Sequence, residues 1–233
     1  MRYGKTGPQR NLTEKYIVFS VKSDYHIGMQ SIHKKILSRI YGNGRGWCFS
    51  QIDFVDLASR AAVDSTLKRL SSAGTIRRIF RGLYDYPIYS DFLGEYLAPD
   101  MQQVVSALCR KHGWQVVPDG STALHLLGLD TQVPARFRYL STGPNREYLI
   151  GNTQLQFSHQ KTQHTAINDR FAATVVQALL ALGQGSITDA HRRKIASLAA
   201  EHDVRRLVKD TRRVTSWVHD EILRIAEITE HHT

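Results

Sequence analysis

The sequence has little of what a secreted scaffold or a membrane protein needs. It contains only two cysteines, Cys48 and Cys109, among 233 residues, which argues against a disulfide framework and a cysteine-rich zinc site. No stretch approaches the roughly 20 consecutive apolar residues of a transmembrane helix, and the first residues lack the apolar core of a signal peptide. We therefore expect a cytoplasmic protein with no membrane partner and with both thiols buried.

The common motifs of catalytic and metal sites are also missing. No HExxH, GxSxG, paired CxxC or nucleotidyltransferase GS-x-DxD pattern occurs. His159 and His164 are five residues apart, and Cys109 and His112 stand at helical spacing, but neither pair has an evident third partner. We predict a protein that is not an enzyme, has no cofactor, and has no catalytic or metal-binding residues.

What the sequence does contain is an excess of positive charge. Lys and Arg number 31 against 21 acidic residues, which gives a net charge of +10 and a pI near 9.7. Such values are typical of nucleic-acid-binding proteins. A membrane surface is a weaker use of the same charge, because the sequence has no long basic amphipathic helix with aromatic anchors.

Residues 50–86 have the pattern of a winged helix-turn-helix. Ser50 and Ser59 are placed to cap two successive helices, the first with Ile52, Phe54 and Val55 as its apolar side. Gly74 is placed to end the second helix. Two β-rich runs follow, at 75–80 and 83–86, on either side of a basic turn at Arg81-Gly82. The apolar stripe of the second helix recurs at spacings of four and three residues, at Val63, Leu67 and Leu70.

The second helix and the β-rich runs after it carry the polar residues that DNA binding requires. A helix in the major groove needs short or planar donors near its N-terminus for base edges, and cations at its flanks for phosphates. The first role is assigned to Ser59, Arg60 and Ser65, and the second to Lys68, Arg69, Arg77, Arg78 and Arg81. The alternative is a small helical domain with a solvated charged face, and winged helices also serve as protein-interaction modules.

The whole chain is predicted to be an α+β protein, with an N-terminal winged helix-turn-helix followed by a mixed α/β C-terminal domain. The predicted boundaries are a basic extension over 1–27, the winged helix-turn-helix over 28–87, a junction over 88–100 and the C-terminal domain over 101–230. The extension contains Arg2, Lys5, Arg10 and Lys15 and a strand-like run over 16–21. It is interpreted as a DNA-following arm, an edge strand or dimer contact, or an extension without a role of its own.

The pattern predicts further elements in both domains. A helix over 29–41 precedes the paired helices, and so does a strand over 47–49 that is expected to pair with the β-rich runs after them. The C-terminal domain begins with a helix capped by Asp100, a strand over 114–117 and a short helix capped by Ser121. Strands over 136–140, 146–150 and 153–159 follow, with a tight turn at Gly151-Asn152, and then helices over 169–182, 188–200 and 211–230.

A second basic set lies on the predicted C-terminal helices and contains few acidic residues. Its members are Arg192, Arg193, Arg205, Arg206, Lys209, Arg212 and Arg213. Either this set forms a surface for a protein partner or for further DNA contact, or it forms ordinary solvated helix faces. The sequence leaves these alternatives open.

Seven short runs carry a resemblance to a known family. They are residues 38–42 (SRIYG), 44–47 (GRGW), 59–63 (SRAAV), 73–78 (AGTIRR), 81–87 (RGLYDYP), 131–135 (TQVPA) and 140–144 (LSTGP). In these runs the chain resembles the AbiEi-like antitoxins of bacterial type IV toxin–antitoxin systems. The resemblance implies an N-terminal DNA-binding domain that represses its own operon, a C-terminal domain with antitoxin activity, and a nucleotidyltransferase-like toxin as the partner.

The leading hypothesis is a DNA-binding autorepressor and antitoxin that binds its own double-stranded operator and self-associates there. The alternative is a protein-interaction module that neutralises a toxin without reading DNA. Salt-sensitive binding to the operator would favour the first, and stable co-purification with a neighbouring protein without DNA retention would favour the second.

Overall fold

The computed structural model describes residues 31–130, 132, 134–160, 167 and 169–230. The predicted extension over 1–27 and His164 lie outside these residues. The described residues from Ile32 onward belong to one compact unit. Their architecture is mixed α+β, as predicted, and none of the described helices is long and apolar enough to cross a membrane.

The first part of the described chain is a group of helices packed on a three-stranded sheet. The elements are α1 (Ile32–Asn43), β1 (Cys48–Phe49), a 3-10 helix (Gln51–Phe54), α2 (Arg60–Ser72), β2 (Arg77–Phe80) and β3 (Leu83–Asp85). The sheet is antiparallel with the order β1-β3-β2. The predicted pairing of the short strand at 47–49 with the β2–β3 hairpin is therefore confirmed.

Helix α2 begins and ends where its sequence indicates. The Ser59 hydroxyl accepts a hydrogen bond from the Ala62 N–H over 3.5 Å, and Gly74 follows the helix with φ of +72°. That left-handed conformation favours glycine because it has no Cβ to clash with the backbone. The predicted stripe is buried, together with Thr66, at Val63, Leu67 and Leu70.

The predicted helix after Ser50 is wrong in type and in its buried side. The segment forms a single 3-10 turn, in which the Asp53 carboxylate accepts from the Ser50 N–H over 2.8 Å. Only Phe54 enters the core, while Ile52 and Val55, expected on the apolar side, are exposed. One turn cannot place three neighbouring side chains on one face.

The rest of the chain contains a small hairpin, a four-stranded sheet and six helices among the described residues. These elements are β4 (Tyr89–Ser90), β5 (Glu95–Tyr96), α3 (Met101–His112), β6 (Val116–Pro118), α4 (Gly120–Leu126), β7 (Arg136–Ser141), β8 (Arg146–Ile150), β9 (Thr153–His159), α5 (Arg170–Leu182), α6 (Asp189–Ala199), α7 (Val204–Asp210) and α8 (Ser216–Glu230). The larger sheet has the order β6-β7-β9-β8, with β7 and β9 parallel and the other pairs antiparallel. The predicted β8–β9 hairpin is confirmed.

Two further predicted helix starts are corrected. Helix α4 is capped by Asp119, whose carboxylate accepts from the Thr122 N–H over 2.9 Å, and not by Ser121, whose hydroxyl donates to Asp119. The last helix begins at Ser216 and not at residue 211. The preceding helix α7 ends at Asp210, where the buried Thr211 hydroxyl donates to the Leu207 carbonyl over 2.8 Å. A threonine used in this way ends one helix and does not start the next.

Three hydrophobic clusters fill the interior of the described part of the chain, and the middle one joins the three-stranded sheet to the four-stranded sheet. The first lies between α1, α2 and one face of the three-stranded sheet. The middle one contains Cys48 of β1, Leu83 of β3, Leu108 of α3 and Leu155 of β9. The third is formed by α4 to α8. The three-stranded sheet is thus covered on both faces.

The 140–144 run has a packing role. Gly143 lies directly on the Trp114 indole, and a Cβ added there would stand 2.3 Å from two ring atoms. The ring itself is held between His112 and Phe157, at centroid distances of 4.5 and 5.5 Å. Glycine at this position therefore allows the backbone to pass directly over the face of the ring.

Candidate nucleic-acid interface

The exposed side of α2 collects the residues that the sequence assigned to base contacts. Ser59, Arg60 and Ser65 are all solvent-exposed, as are Lys68 and Arg69 further along the helix. The Arg60 side chain is 76% exposed. One helix therefore presents hydroxyl, guanidinium and ammonium groups to solvent while its opposite side fills the core.

Arg60 is oriented by weak polar contacts at the start of α2. Its Nε lies 3.9 Å from Asp64 Oδ2, one turn later. The Gln51 amide, in the orientation that satisfies both ends, donates to Asp64 over 2.8 Å and accepts from Arg60 over 3.0 Å. An exposed pair at this distance contributes well under about 1 kcal/mol, so Arg60 can exchange it for a stronger acceptor.

The β2–β3 turn places two more cations at the surface. Arg81 and Arg78 are exposed, and Arg78 donates to the Phe80 carbonyl over 3.4 Å. Gly82 completes the turn with φ of +78°. Behind the turn, the Phe80 ring stacks on Tyr148 of β8, with ring centroids 5.0 Å apart. The turn is therefore held by the second sheet.

Arg77 is different from the other predicted phosphate contacts because it already has a carboxylate partner. Its Nε and Nη2 donate to the two oxygens of Asp85 over 3.1 and 2.5 Å, and its Nη1 donates to the Leu97 carbonyl over 2.9 Å. Asp85 is 1% exposed. This bidentate pair assigns Arg77 to holding the sheet together.

A cation that the sequence reasoning missed lies beside the turn. Lys111, at the end of α3, brings its Nζ to 2.9 Å from the position that a Cβ of residue 82 would occupy. Burial and, next, the charge of Arg60 lower the pKa of Lys111. The α2 start, the β2–β3 turn and the end of α3 thus bring positive charges together at one place.

The neighbouring Arg110 fixes α3 against the segment that leads into α2. It donates to Asp53 Oδ1 over 2.6 Å and to the Cys48 carbonyl over 2.8 Å. Asp53 also accepts from the Ser50 N–H. Arg110 holds α3 against the 3-10 helix. Because Lys111 is the next residue, its position beside the β2–β3 turn is fixed as well. We call Arg60, Lys68, Arg78, Arg81 and Lys111 the α2–turn basic face.

Two members of the second basic set, Arg192 and Arg206, already have carboxylate partners. Arg192 donates to the buried Glu221 over 2.7 Å and to Asp189 over 2.6 Å, and these contacts lower the pKa of Glu221 and raise that of Arg192. Arg206 pairs with Asp210 over 3.6 Å. The exposed members without such a carboxylate in the described part of the chain are Arg193, Arg205, Lys209, Arg212 and Arg213.

The residues considered for catalysis or metal binding make packing and hydrogen-bond contacts within the fold. His159 Nδ1 lies 3.0 Å from the Gly143 carbonyl, and His112 stacks on Trp114. Burial raises the pKa of Cys109. Over the described ranges, no group of three His, Cys, Asp or Glu side chains is placed to hold a metal ion.

Comparison with known proteins gives one family match and a distant structural similarity. Residues 35–207 match the model of a protein family described as "Family of unknown function (DUF6088)". No curated protein matches the chain. Among solved structures, the chain is similar to the RV2827C protein from Mycobacterium tuberculosis, with 14% identity, coverage of 87% of this chain and 78% of that chain, and a TM-score of 0.40.

Proposed function

The chain belongs to the DUF6088 family of unknown function, and from the α2–turn basic face we propose that it is a transcriptional repressor that binds double-stranded DNA. In this proposal α1 to β3 form a winged helix-turn-helix. Helix α2 enters the major groove, and the β2–β3 turn is the wing that contacts the adjacent backbone.

The element order supports the winged helix-turn-helix. A helix, a short strand, a helical turn, a second helix and an antiparallel hairpin follow one another, and the short strand pairs with the hairpin. The second helix has its apolar stripe inward and its polar side outward. This arrangement leaves Ser59, Arg60 and Ser65 at the end of α2 that recognition helices direct toward base edges.

The observation that carries the proposal is the concentration of cations around the wing. Lys111 lies beside Gly82 and within the electrostatic influence of Arg60, and Arg78 and Arg81 are exposed on the same hairpin. Cations placed this close repel one another and destabilise the free protein. A polyanion such as the DNA backbone removes that repulsion and replaces it with attraction.

The AbiEi-like resemblance extends the proposal to an operon. The repressed promoter is then the protein's own, and the neighbouring gene encodes a nucleotidyltransferase-like toxin that this chain neutralises. The exposed second basic set is a candidate surface for that toxin or for additional DNA. The alternative to the repressor is a toxin neutraliser that does not read DNA.

The proposal is tested by titrating the purified protein against its own upstream DNA at two salt concentrations, with an unrelated duplex as competitor. We expect specific binding that weakens steeply with salt. Arg60→Ala should cost about 1–3 kcal/mol of binding and reduce specificity, and Lys111→Met should lower the salt slope by about 1.

Arg136→Ala, at an exposed arginine of β7, is the matched control and should leave binding unchanged. The repressor proposal would be rejected if the wild-type protein bound its upstream DNA independently of salt, or bound the unrelated duplex equally well. Co-purification with the neighbouring gene product without DNA retention would identify the neutraliser instead.

A further inference from the structure

The β4–β5 hairpin exposes more apolar side chain than any other short segment of the described chain. Its strands pair at Tyr89 and Tyr96, whose ring centroids are 5.2 Å apart, and its tip residue Phe92 is 96% exposed. We call residues 88–97 the apolar hairpin. Its large exposed apolar residues are Ile88, Tyr89, Phe92, Leu93, Tyr96 and Leu97. Contiguous exposed apolar surface marks interaction sites in soluble proteins.

The apolar hairpin is held firmly at its base. The Leu97 N–H donates to the Ile88 carbonyl over 2.9 Å, and the Leu97 carbonyl accepts from Arg77. Arg45 Nη1 donates to the adjacent Pro87 carbonyl over 2.8 Å. A projection that is fixed before binding loses little conformational entropy when it docks.

The charge of this segment differs from that of the rest of the protein. Residues 88–100 contain Asp91, Glu95 and Asp100 and no Lys or Arg, in a chain with a net charge of +10. Two hairpins packed tip to tip would bring the carboxylates of Asp91 and Glu95 against their own copies, which is unfavourable. The hairpin therefore fits a surface that is apolar in the middle and basic at its rim.

Such a surface exists on the same chain. A cavity of about 350 Å³, which we call the α5–α8 groove, lies between α5 and the segment joining α7 to α8. Its lining includes the apolar Val176, Leu180 and Val214 and the polar Gln177, Arg213 and Thr215. Leu180 and Arg213 are exposed, and Arg212 and Lys209 are nearby in sequence and exposed as well. Asp210 also lines the cavity, but its carboxylate pairs with Arg206.

We propose that the apolar hairpin of one copy docks into the α5–α8 groove of a second copy, with Phe92 in the apolar centre and Asp91 and Glu95 facing Arg212 and Arg213. In the proposed dimer the two copies exchange hairpins about a two-fold axis, so the hairpin–groove contact is made twice and the assembly is closed. The dimer does not depend on the proposed DNA binding, and it uses Arg212 and Arg213 for the second copy in place of the toxin or DNA surface considered above.

The test is sedimentation velocity of the full-length protein without DNA, over a range of micromolar concentrations. Wild-type protein should show a concentration-dependent monomer–dimer equilibrium. Phe92→Ser should raise the dimer dissociation constant by about tenfold or more, as removal of an interface hot spot does. Leu149→Ser, at an apolar residue of β8 that is 71% exposed and outside both surfaces, should leave the constant unchanged.

The pairing of hairpin with groove is tested by mixing two variants. Phe92→Ser protein keeps its groove, and Leu180→Asp protein keeps its hairpin. At a concentration where the wild type is dimeric, each variant alone should be mostly monomeric, and their mixture should form a heterodimer that is weaker than the wild-type dimer. Failure of the mixture to associate, a dimer that Phe92→Ser leaves intact, or a wild-type protein that stays monomeric would each overturn the proposal. Binding of a different protein through Phe92 by a chain that is monomeric alone would assign the hairpin to that partner.

Discussion

The Arg77–Asp85 pair allows a test of which arginine of the β2–β3 hairpin holds the fold and which is left for a ligand. Asp85 is 1% exposed and Arg77 32% exposed, and two hydrogen bonds of 3.1 and 2.5 Å join them. Removing one partner of a buried ion pair costs about 3–5 kcal/mol, because the other charge is left without compensation. Since water reaches one third of Arg77, we reduce this to about 2–3 kcal/mol for Arg77→Met.

Arg81, four residues later on the same hairpin, should behave in the opposite way. It is exposed, and it makes no hydrogen bond or ion pair with the residues that the structure describes. Arg81→Met should therefore change the free energy of unfolding by less than about 0.5 kcal/mol. Loss of the proposed phosphate contact should reduce the slope of log affinity against log salt by about 0.9.

The assay is urea unfolding followed by tryptophan fluorescence, combined with DNA titration by fluorescence anisotropy under conditions in which every variant is folded. We expect a lower urea midpoint with an unchanged m value for Arg77→Met, and weaker DNA binding with an unchanged midpoint for Arg81→Met. If Arg77→Met kept its full stability and lost DNA affinity, our division of roles between the two arginines would be refuted.

Two further outcomes concern the core. Gly143→Ala should lower the free energy of unfolding, measured in urea, by about 3 kcal/mol, because the added Cβ meets the Trp114 ring. Gly42→Ala, in open space near the end of α1, should be neutral or stabilise by up to about 1 kcal/mol. Burial, followed by the charge of Asp85, raises the pKa of Cys48 from 9.0 to about 12. As pH rises, the Cys48 thiol therefore loses its proton first in the unfolded chain. The stability that the protonated thiol contributes to the folded state is lost between those two pH values. Between about pH 8 and pH 10 the loss should be about 1.4 kcal/mol larger in wild type than in Cys48→Ala, and equal losses in the two proteins would contradict the assignment.

Local signals were enough to predict most elements of the fold. The Ser59 cap, the Val63–Leu67–Leu70 stripe and Gly74 each act within one or two helical turns, and all three are confirmed. The β8–β9 hairpin is equally local, since Gly151 adopts the positive φ that its turn needs. Capping failed where two polar residues lay close together: the Asp119 carboxylate accepts from the Thr122 N–H, and the helix therefore starts before Ser121.

Long-range contacts could not be predicted in the same way. Arg110 and Asp53 are separated by 57 positions, and no periodicity indicates which of the many basic residues a given carboxylate will meet. Lys111 reaches the β2–β3 turn only because Arg110 fixes α3 there. The parallel pairing of β7 with β9 was hidden for a related reason, because β8 lies between them in sequence and outside them in the sheet.

Within the candidate site, the sequence identified the charged residues but not which of them already have a carboxylate partner in the fold. Arg77, Arg81 and Arg192 look alike in the sequence, yet Arg77 and Arg192 meet buried carboxylates and Arg81 does not. A buried Asp or Glu on an adjacent element decides between the two cases. That information lies in the packing of the core, which a one-dimensional pattern does not contain.

The shared middle cluster limits how this protein can be dissected in the laboratory. A fragment ending near residue 87 would remove α3 and the four-stranded sheet, and would leave Cys48, Leu83 and Phe80 facing water in place of Leu108 and Tyr148. The first part of the chain is therefore not a transplantable module, and a truncated version that aggregates would say nothing about its ligand. Expression experiments should retain the chain through α8, because α4 and α5 share their core with α6 to α8, and should change function by single substitutions.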